Sequence, residues 1–132
     1  LARAVCALSR AAHHDHGVAM IVACVLRSGG DYTVEYVQRL KENVAPHLFG
    51  HRFVCLSDVP VPCERIPLLH GWPGWWSKIE LFRLPGPVLY LDLDTVVVGD
   101  LSPLADINAP FVMLRDFYAP EQPASGLMYW QG

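Results

Sequence analysis

Two aspartates, Asp92 and Asp94, interrupt an otherwise apolar stretch, VLYLDLDTVVV, that begins at Val88. If this stretch is a strand, residues two apart face the same way, so both carboxylates share one surface. Two carboxylates within about 4 Å repel each other by about 4 kcal/mol at an effective dielectric constant of ~20. A divalent cation relieves that repulsion, and hard oxygen ligands favour Mg²⁺ or Mn²⁺. The spacing therefore predicts a metal-binding pair.

A structural explanation of the same pair is also open. Asp92 and Asp94 would then be strand-end residues that cap the next turn or pair with Lys78 or Arg83. This explains one acidic residue at a strand end better than two on one face. The metal-binding interpretation is therefore preferred.

The elements that must position these aspartates alternate along the chain from Met20 onward. Strand-like segments are MIVACVL, RFVCLSD, VLYLDLD, FVML and GLMYW. Helix-like segments lie between several of them, which predicts an α/β domain with a mostly parallel sheet flanked by helices. Since VLYLDLD follows a helix, its carboxyl end should open into the crevice where α/β sheets bind ligands.

Two helices are expected between these strands. The first runs from about Thr33 to Val44, where apolar residues recur at helical spacing and Pro46 follows the end. The second is a short helix within HGWPGWWSKIELFRL, in which Ser77 and Glu80 have the spacing of a capping box.

Composition limits the classes of function. The 132 residues are 52% hydrophobic and 17% charged, as in one compact domain. A net charge of -3 gives no basic stripe for nucleic acid or an anionic membrane. The longest apolar run, from Val18 to Leu26, is shorter than the roughly 20 residues of a membrane helix, so no membrane span is expected. The four cysteines form no C-x-x-C pair, which favours free thiols and a cytoplasmic location.

The ends of the chain are expected to differ from the domain between them. Met20 opens the first strand, so residues 1–19 are interpreted as a non-native or loosely ordered extension. That extension contains a cluster that could bind a metal adventitiously, formed by His13, His14, Asp15 and His16. Residues 20–132 form the single domain, and the hydrophobic run just before Gly132 suggests that its C-terminal part is missing.

Residues 20–132 resemble the nucleotide-sugar-binding part of a GT-A fold glycosyltransferase of the family-eight type and its bacterial relatives. The matching segments are, in order, VACVLRSGGDYTVEYV, RFVCLSD, WWSKIELF, VLYLDLDTVVVGDLSPL and SGLMYW. The D-x-D triplet alone is a weak signal. Its position after a helix with a basic residue and an apolar strand, and before D-L-x-P-L, is more specific. The resemblance implies a Rossmann-like GT-A domain.

The resemblance also implies roles for individual residues. Asp92 and Asp94 would act in catalysis by holding Mn²⁺ or Mg²⁺ against the diphosphate of a nucleotide sugar. The implied donor-binding residues are Ala23, Cys24, Val25, Asp31, Tyr32, Lys78, Asp92, Ser125 and Gly126. Ala124, which directly precedes Ser125, stands where the family usually has Asn.

Simpler roles are open for several of these side chains. Tyr32 could pack on the first helix, and Lys78 could be a solvated helix residue. The tryptophan cluster, formed by Trp72, Trp75 and Trp76, could be a platform on which a sugar stacks. Large aromatic residues fill cores or interfaces more often, so packing is expected for at least two of the three.

The implied function is transfer of a sugar from a nucleotide sugar, with UDP as the expected nucleotide, to an unidentified acceptor. A rival is a haloacid dehalogenase-like phosphatase, in which Asp92 is the nucleophile, Asp94 the acid and base, and Thr95 a phosphate contact. That family places the motif near the start of the domain and needs a downstream lysine, whereas no lysine follows Lys78. A third possibility is a donor-binding fragment without turnover, because the family's remaining metal ligand and its acceptor site lie further downstream.

Overall fold

The computed structural model of the protein describes residues 19–132. The first half contains strand β1 (Ile21–Leu26), helix α1 (Val34–Val44), strand β2 (Arg52–Ser57), strand β3 (Glu64–Pro67) and a 3₁₀ segment (Gly74–Arg83). The second half contains strand β4 (Val88–Leu91), helix α2 (Ser102–Ala105), strand β5 (Phe111–Arg115) and strand β6 (Pro123–Trp130). A short 3₁₀ turn, Ala45–His47, follows α1.

The six strands form one sheet in the order β3-β2-β1-β4-β6-β5. β1 pairs in parallel with both β2 and β4, and β2 pairs in parallel with β3. β6 runs antiparallel to β4 and β5. The predicted α/β class with a mostly parallel sheet flanked by helices is confirmed. From β1 the chain continues to β2 on one side of β1, and it later forms β4 on the other side of β1. This reversal creates a topological switch point between β1 and β4.

Alternate residues of the central strands pack against different layers. Val22, Cys24 and Leu26 of β1 belong to the core on the α1 side of the sheet. Ile21, Ala23 and Val25 belong to the core on the opposite side, which includes Leu81 and Leu84 from the region of the 3₁₀ segment. β1 is buried along its whole length because both of its faces are covered.

Helix α1 confirms the predicted helix. Its buried residues are Val37, Leu40 and Val44, which lie three or four positions apart on one face. Among the described residues, no helix is both long enough and apolar enough to cross a membrane.

The predicted capping box of the second helix is wrong. The segment is a 3₁₀ helix that begins at Gly74, and its N-cap is Pro73. The Ser77 hydroxyl donates to the carbonyl of Gly74 at 2.6 Å. The Glu80 carboxylate instead accepts the backbone N–H groups of Leu69 and His70, which lie before the segment.

Strand β4 is shorter than the predicted VLYLDLD strand. It ends at Leu91, and the N–H of Thr95 donates to the carbonyl of Asp92 at 3.0 Å, which closes a turn. Neither Asp92 nor Asp94 lies in β4, so the prediction that strand alternation places both carboxylates on one surface is wrong. Strand β3 is not among the strand-like segments recognised in the sequence, and it forms one edge of the sheet. Its terminal Pro67 suits an edge position, where a missing N–H costs little.

The described cysteines are free thiols, as predicted. Cys24 and Cys55 are buried, and Cys63 is half-buried. Cys6 and the cluster from His13 to His16 lie outside the described residues.

Candidate functional site

A cavity of about 340 Å³ opens at the carboxyl ends of β1 and β4, at the switch point between them. Its lining includes Asp31, Tyr32, Trp75, Lys78, Tyr90 and Asp92. These residues come from the β1–α1 loop, the 3₁₀ segment and the end of β4. The volume lies at the lower end of the range of small-molecule sites.

Asp92 lies at the centre of a polar cluster in this cavity. Its backbone N–H donates to the carbonyl of Gly126 at 2.9 Å, which ties the end of β4 to β6. Its Oδ1 lies 2.6 Å from the ammonium of Lys78, and the hydroxyl of Tyr90 donates to the same oxygen. The ion pair with Lys78 that the structural alternative proposed is therefore present. Arg83 pairs with Glu80 instead.

Tyr90 is a residue of the site that the sequence interpretation missed. Its side chain is 1% exposed, and the Lys78 ammonium lies 5.4 Å from the centre of its ring, within the distance of a cation–π contact. Burial raises the pKa of Tyr90, and the negative charge of Asp92 raises it further. The hydroxyl is therefore a permanent donor. Tyr90 lies two residues before Asp92 in the predicted VLYLDLD strand, and this spacing was the signal that could have identified it.

Asp94 has a different partner from Asp92. Its Oδ2 accepts a hydrogen bond of 2.9 Å from the Tyr32 hydroxyl, and this bond raises the pKa of Tyr32. The charge of Asp92 also raises the pKa of Tyr32, so both carboxylates act on one hydroxyl. The Tyr32 ring packs edge-on against Tyr36 of α1, with centroids 5.0 Å apart. Tyr32 therefore both packs on the helix and contacts Asp94.

The turn after β1 is fixed by Asp58, which follows β2. Asp58 Oδ1 accepts the N–H of Ser28 at 2.8 Å, and its Oδ2 accepts the Ser28 hydroxyl. Burial opposes the charge of Asp58, but the bonds from Ser28 outweigh it and lower its pKa. Gly29 has φ +87°, a backbone conformation that other residues adopt at a cost. This turn places Asp31 and Tyr32 at the cavity.

A β-bulge brings β6 against the acidic pair. The register between β5 and β6 shifts after Met113, leaving residues 125–127 without partners on β5. Gly126 lies in this bulge, and a Cβ on it would stand 3.4 Å from Asp92 Oδ2. Ser125 is exposed beside it. The structure thus places Gly126 beside Asp92, but neither Gly126 nor Ser125 is among the residues that line the cavity.

The β1 residues of the predicted donor site divide into two groups. Val25 lines the cavity. Ala23 and Cys24 are completely buried, and the Cys24 thiol points toward the carbonyl of Val54 at 3.8 Å. These two residues support the floor of the site and do not present a surface to it.

The expectation that at least two of the tryptophans are packed is wrong, because all three members of the cluster are exposed. Trp75 is 76% exposed and lines the cavity. Trp72 stacks on His70 with ring centroids 4.4 Å apart. The 3₁₀ segment buries Ser77, Glu80 and Leu81 and leaves the indoles of Trp75 and Trp76 at the surface.

Carboxylates are the hard ligands that the described part of the chain offers to a metal ion here: Asp31 and Asp92 line the cavity, and Asp94 lies in the turn after β4. Within residues 19–132, no group of three or more His, Cys, Asp or Glu side chains is arranged to hold a metal. Magnesium-type sites commonly use one or two carboxylates and complete the shell with substrate phosphates and water. Asp92 and Asp94 have the ligand chemistry that such a site uses.

The fold is similar to that of solved glycosyltransferases. The glycosyltransferase GlyE of Streptococcus pneumoniae TIGR4, in its apo form, superposes with a TM-score of 0.67 at 17% identity, over 86% of this chain and 34% of that chain. The galactosyltransferase LgtC, solved with donor and acceptor sugar analogs, superposes with a TM-score of 0.60 at 15% identity, over 85% of this chain and 58% of that chain.

The chain thus spans about a third of the length of GlyE and somewhat more than half of LgtC. At this level of identity the similarity establishes the fold. No protein-family model and no curated protein matches the sequence.

Proposed function

We propose that this chain forms the nucleotide-sugar-binding part of a metal-dependent glycosyltransferase, with a UDP-sugar as donor. The observation that carries the proposal is the convergence of Asp92, Lys78 and Asp31 in one cavity at the switch point of the sheet. Ligands bind at this point in open α/β sheets. The similarity of the fold to solved glycosyltransferases supports the same function.

Each polar residue has a distinct proposed role. Asp92 and Asp94 would hold Mn²⁺ or Mg²⁺, which neutralises the charge on the departing diphosphate when it is bound. Lys78 contributes a second positive charge beside the diphosphate. Stabilising a leaving group in this way is electrostatic catalysis by preorganised charges. Tyr90 keeps the Asp92 carboxylate oriented, because its buried hydroxyl donates to Oδ1.

The nucleoside would occupy the part of the cavity nearest to β1 and α1. Asp31 and Tyr32 border this part, and the exposed face of Trp75 bounds it from the 3₁₀ segment. An aromatic face stacks on any base, whereas a carboxylate can accept hydrogen bonds from ribose hydroxyls. The free thiols of the described cysteines are consistent with a cytoplasmic enzyme, which is the proposed location.

Calorimetric titration with UDP, with and without Mn²⁺, tests this proposal. We expect binding that depends on Mn²⁺ and that falls at least tenfold in the variants Asp92→Asn and Asp94→Asn, since each loses a charged metal ligand. Asp106→Asn is a matched control, because Asp106 is exposed at the end of α2 and does not line the cavity. Circular dichroism should show that all three variants are folded.

The possible outcomes separate the competing functions. Binding that is equal in the Asp92→Asn variant and the unchanged protein would refute the metal role. Hydrolysis of a phosphatase substrate, without binding of UDP, would support the phosphatase in place of the transferase. Binding of UDP without transfer from a UDP-sugar would support a donor-binding fragment.

A further inference from the structure

The carboxylate of Asp92 already has a cation as its partner. The Lys78 ammonium lies 2.6 Å from Oδ1, and the two side chains are 23% and 31% exposed. Tyr90 donates its hydroxyl to the same Oδ1. The second oxygen, Oδ2, faces the bulge of β6 near Gly126. One oxygen of Asp92 is thus engaged by two donors.

Lys78 is held at this position by more than one attraction. Its ammonium lies 5.4 Å from the centre of the Tyr90 ring, in addition to its contact with Asp92. Its backbone belongs to the 3₁₀ segment, which Leu81 and Glu80 anchor in the protein because both are buried. The side chain is therefore a stable partner of Asp92 and not a freely solvated lysine.

A divalent cation on Asp92 conflicts with this arrangement. The cation and the ammonium repel each other strongly at hydrogen-bonding separations, and both require oxygens of one carboxylate. The two cannot occupy Oδ1 together, and a metal ion at Oδ2 would still lie close enough to the ammonium for their repulsion to disfavour joint binding.

We propose that Lys78 is the resident counter-cation of Asp92 and that a divalent metal ion binds Asp92 in exchange for it. The ammonium leaves Oδ1 when the metal ion arrives and becomes free to pair with a phosphate. This inference rests on the proposed function, and it adds a competition between two cations for one carboxylate.

If the two cations exchange, replacing Lys78 should have opposite effects on the binding of Mn²⁺ and of UDP. Without nucleotide, the variant Lys78→Met should bind Mn²⁺ about three- to tenfold more tightly, the range expected when a half-exposed ion pair no longer competes. With Mn²⁺ present, the same variant should bind UDP more weakly, because a phosphate loses its cationic partner. A lysine that served only the diphosphate would leave the nucleotide-free affinity for Mn²⁺ unchanged.

The affinity for Mn²⁺ can be measured by electron paramagnetic resonance, because the sharp signal of the hydrated ion disappears on binding. The chain has one other lysine, Lys41, which donates to the carbonyl of Pro62 and does not line the cavity. Lys41→Met removes the same charge elsewhere and should leave the affinity unchanged. A double variant, Asp92→Asn with Asp94→Asn, gives the background from any other sites in the full chain.

Chemical labelling tests the exchange without a substitution at the site. The ion pair protects the Lys78 amine from acetylation, so adding Mn²⁺ should raise the labelling of Lys78 relative to Lys41 by at least twofold. Mass spectrometry of the peptides reads out both lysines in one sample. This measurement stands even if Lys78→Met does not fold.

Tighter binding of Mn²⁺ by Lys78→Met, or increased labelling of Lys78 with Mn²⁺, supports the exchange. Unchanged affinity and unchanged labelling, with Mn²⁺ bound above background, would overturn the exchange and leave the proposed function intact. Binding of Mn²⁺ no stronger than in the double variant without UDP would overturn the exchange, and the same result with UDP present would overturn the proposed function as well.

Discussion

Replacing Glu80 by Gln should destabilise the protein strongly, although the two side chains have nearly the same shape. Glu80 is 2% exposed. Its Oε1 accepts the N–H of His70 at 2.6 Å, and its Oε2 accepts the N–H of Leu69 at 2.8 Å. Arg83 lies 3.0 Å from Oε2. All partners of the carboxylate are therefore donors.

A glutamine amide offers one acceptor oxygen and one donor group. In either orientation its NH₂ faces a backbone N–H, and Arg83 loses its charged partner. A lost hydrogen bond to a charged group costs about 1.5–3 kcal/mol, and an unsatisfied buried donor adds about 1–3 kcal/mol. Allowing for partial relaxation, we expect Glu80→Gln to lower the free energy of unfolding by about 2–4 kcal/mol.

Unfolding in urea, followed by circular dichroism, measures this change. The free energy of unfolding falls by about 2 kcal/mol per molar urea, so the urea midpoint should fall by about 1–2 M while this slope stays the same. Glu64→Gln is the matched control, because Glu64 pairs with Arg52 at the surface, where the two side chains are 47% and 54% exposed. That variant should show a much smaller fall in the urea midpoint, because solvent screens the exposed pair. A loss from Glu80→Gln no larger than that of the control would show that the bonds from Leu69 and His70 to the carboxylate contribute little to stability.

Three further predictions concern acid stability and the aromatic residues of the site. The pKa of Glu80 lies below its ordinary value of 4.5, because two backbone N–H groups and Arg83 outweigh the effect of burial. The stability that this carboxylate supplies is therefore full above about pH 4.5 and is lost as the pH falls through the lower folded-state pKa. Urea midpoints from about pH 6 to about pH 3 should fall less in Glu80→Gln than in the unchanged protein, and equal falls would contradict this. The pKa of Tyr32 should drop toward 10.0 in Asp94→Asn, since the bond from its hydroxyl to the carboxylate is the main cause of the elevation. ¹³C NMR of labelled tyrosines measures this pKa. An unchanged pKa in the variant would show that the bond is absent. Trp75→Ala should change the free energy of unfolding by less than about 0.5 kcal/mol and weaken UDP binding about tenfold, whereas Trp76→Ala, which removes an indole that does not line the cavity, should leave binding unchanged. Equal UDP affinities in the two tryptophan variants would exclude stacking on Trp75.

The alternation of apolar and helical segments was sufficient to predict most of the elements. Helix α1 was predictable because its apolar residues recur at helical spacing, and β1 and β2 because their apolar runs have strand length. These signals are local. Burial of one helix face gives apolar residues at helical spacing, and burial of both strand faces gives a continuous apolar run. The position of Asp92 at the carboxyl end of a central strand was predictable for the same reason.

The partners of the site residues were decided by the tertiary structure. Glu80 and Ser77 have the spacing of a capping box. The Glu80 carboxylate instead accepts the N–H groups of Leu69 and His70, which lie earlier in the chain. Sequence spacing also could not predict that β4 ends at Leu91, because the end depends on where its pairing with β6 stops.

The acidic pair shows the same division between local and tertiary information. The sequence determined that two carboxylates follow a buried strand. The tertiary structure decided that Asp92 meets Lys78 and Tyr90 while Asp94 meets Tyr32. These contacts join residues from separate elements, and the packing of those elements on the sheet sets their distances. A pattern along one segment contains no information about that packing.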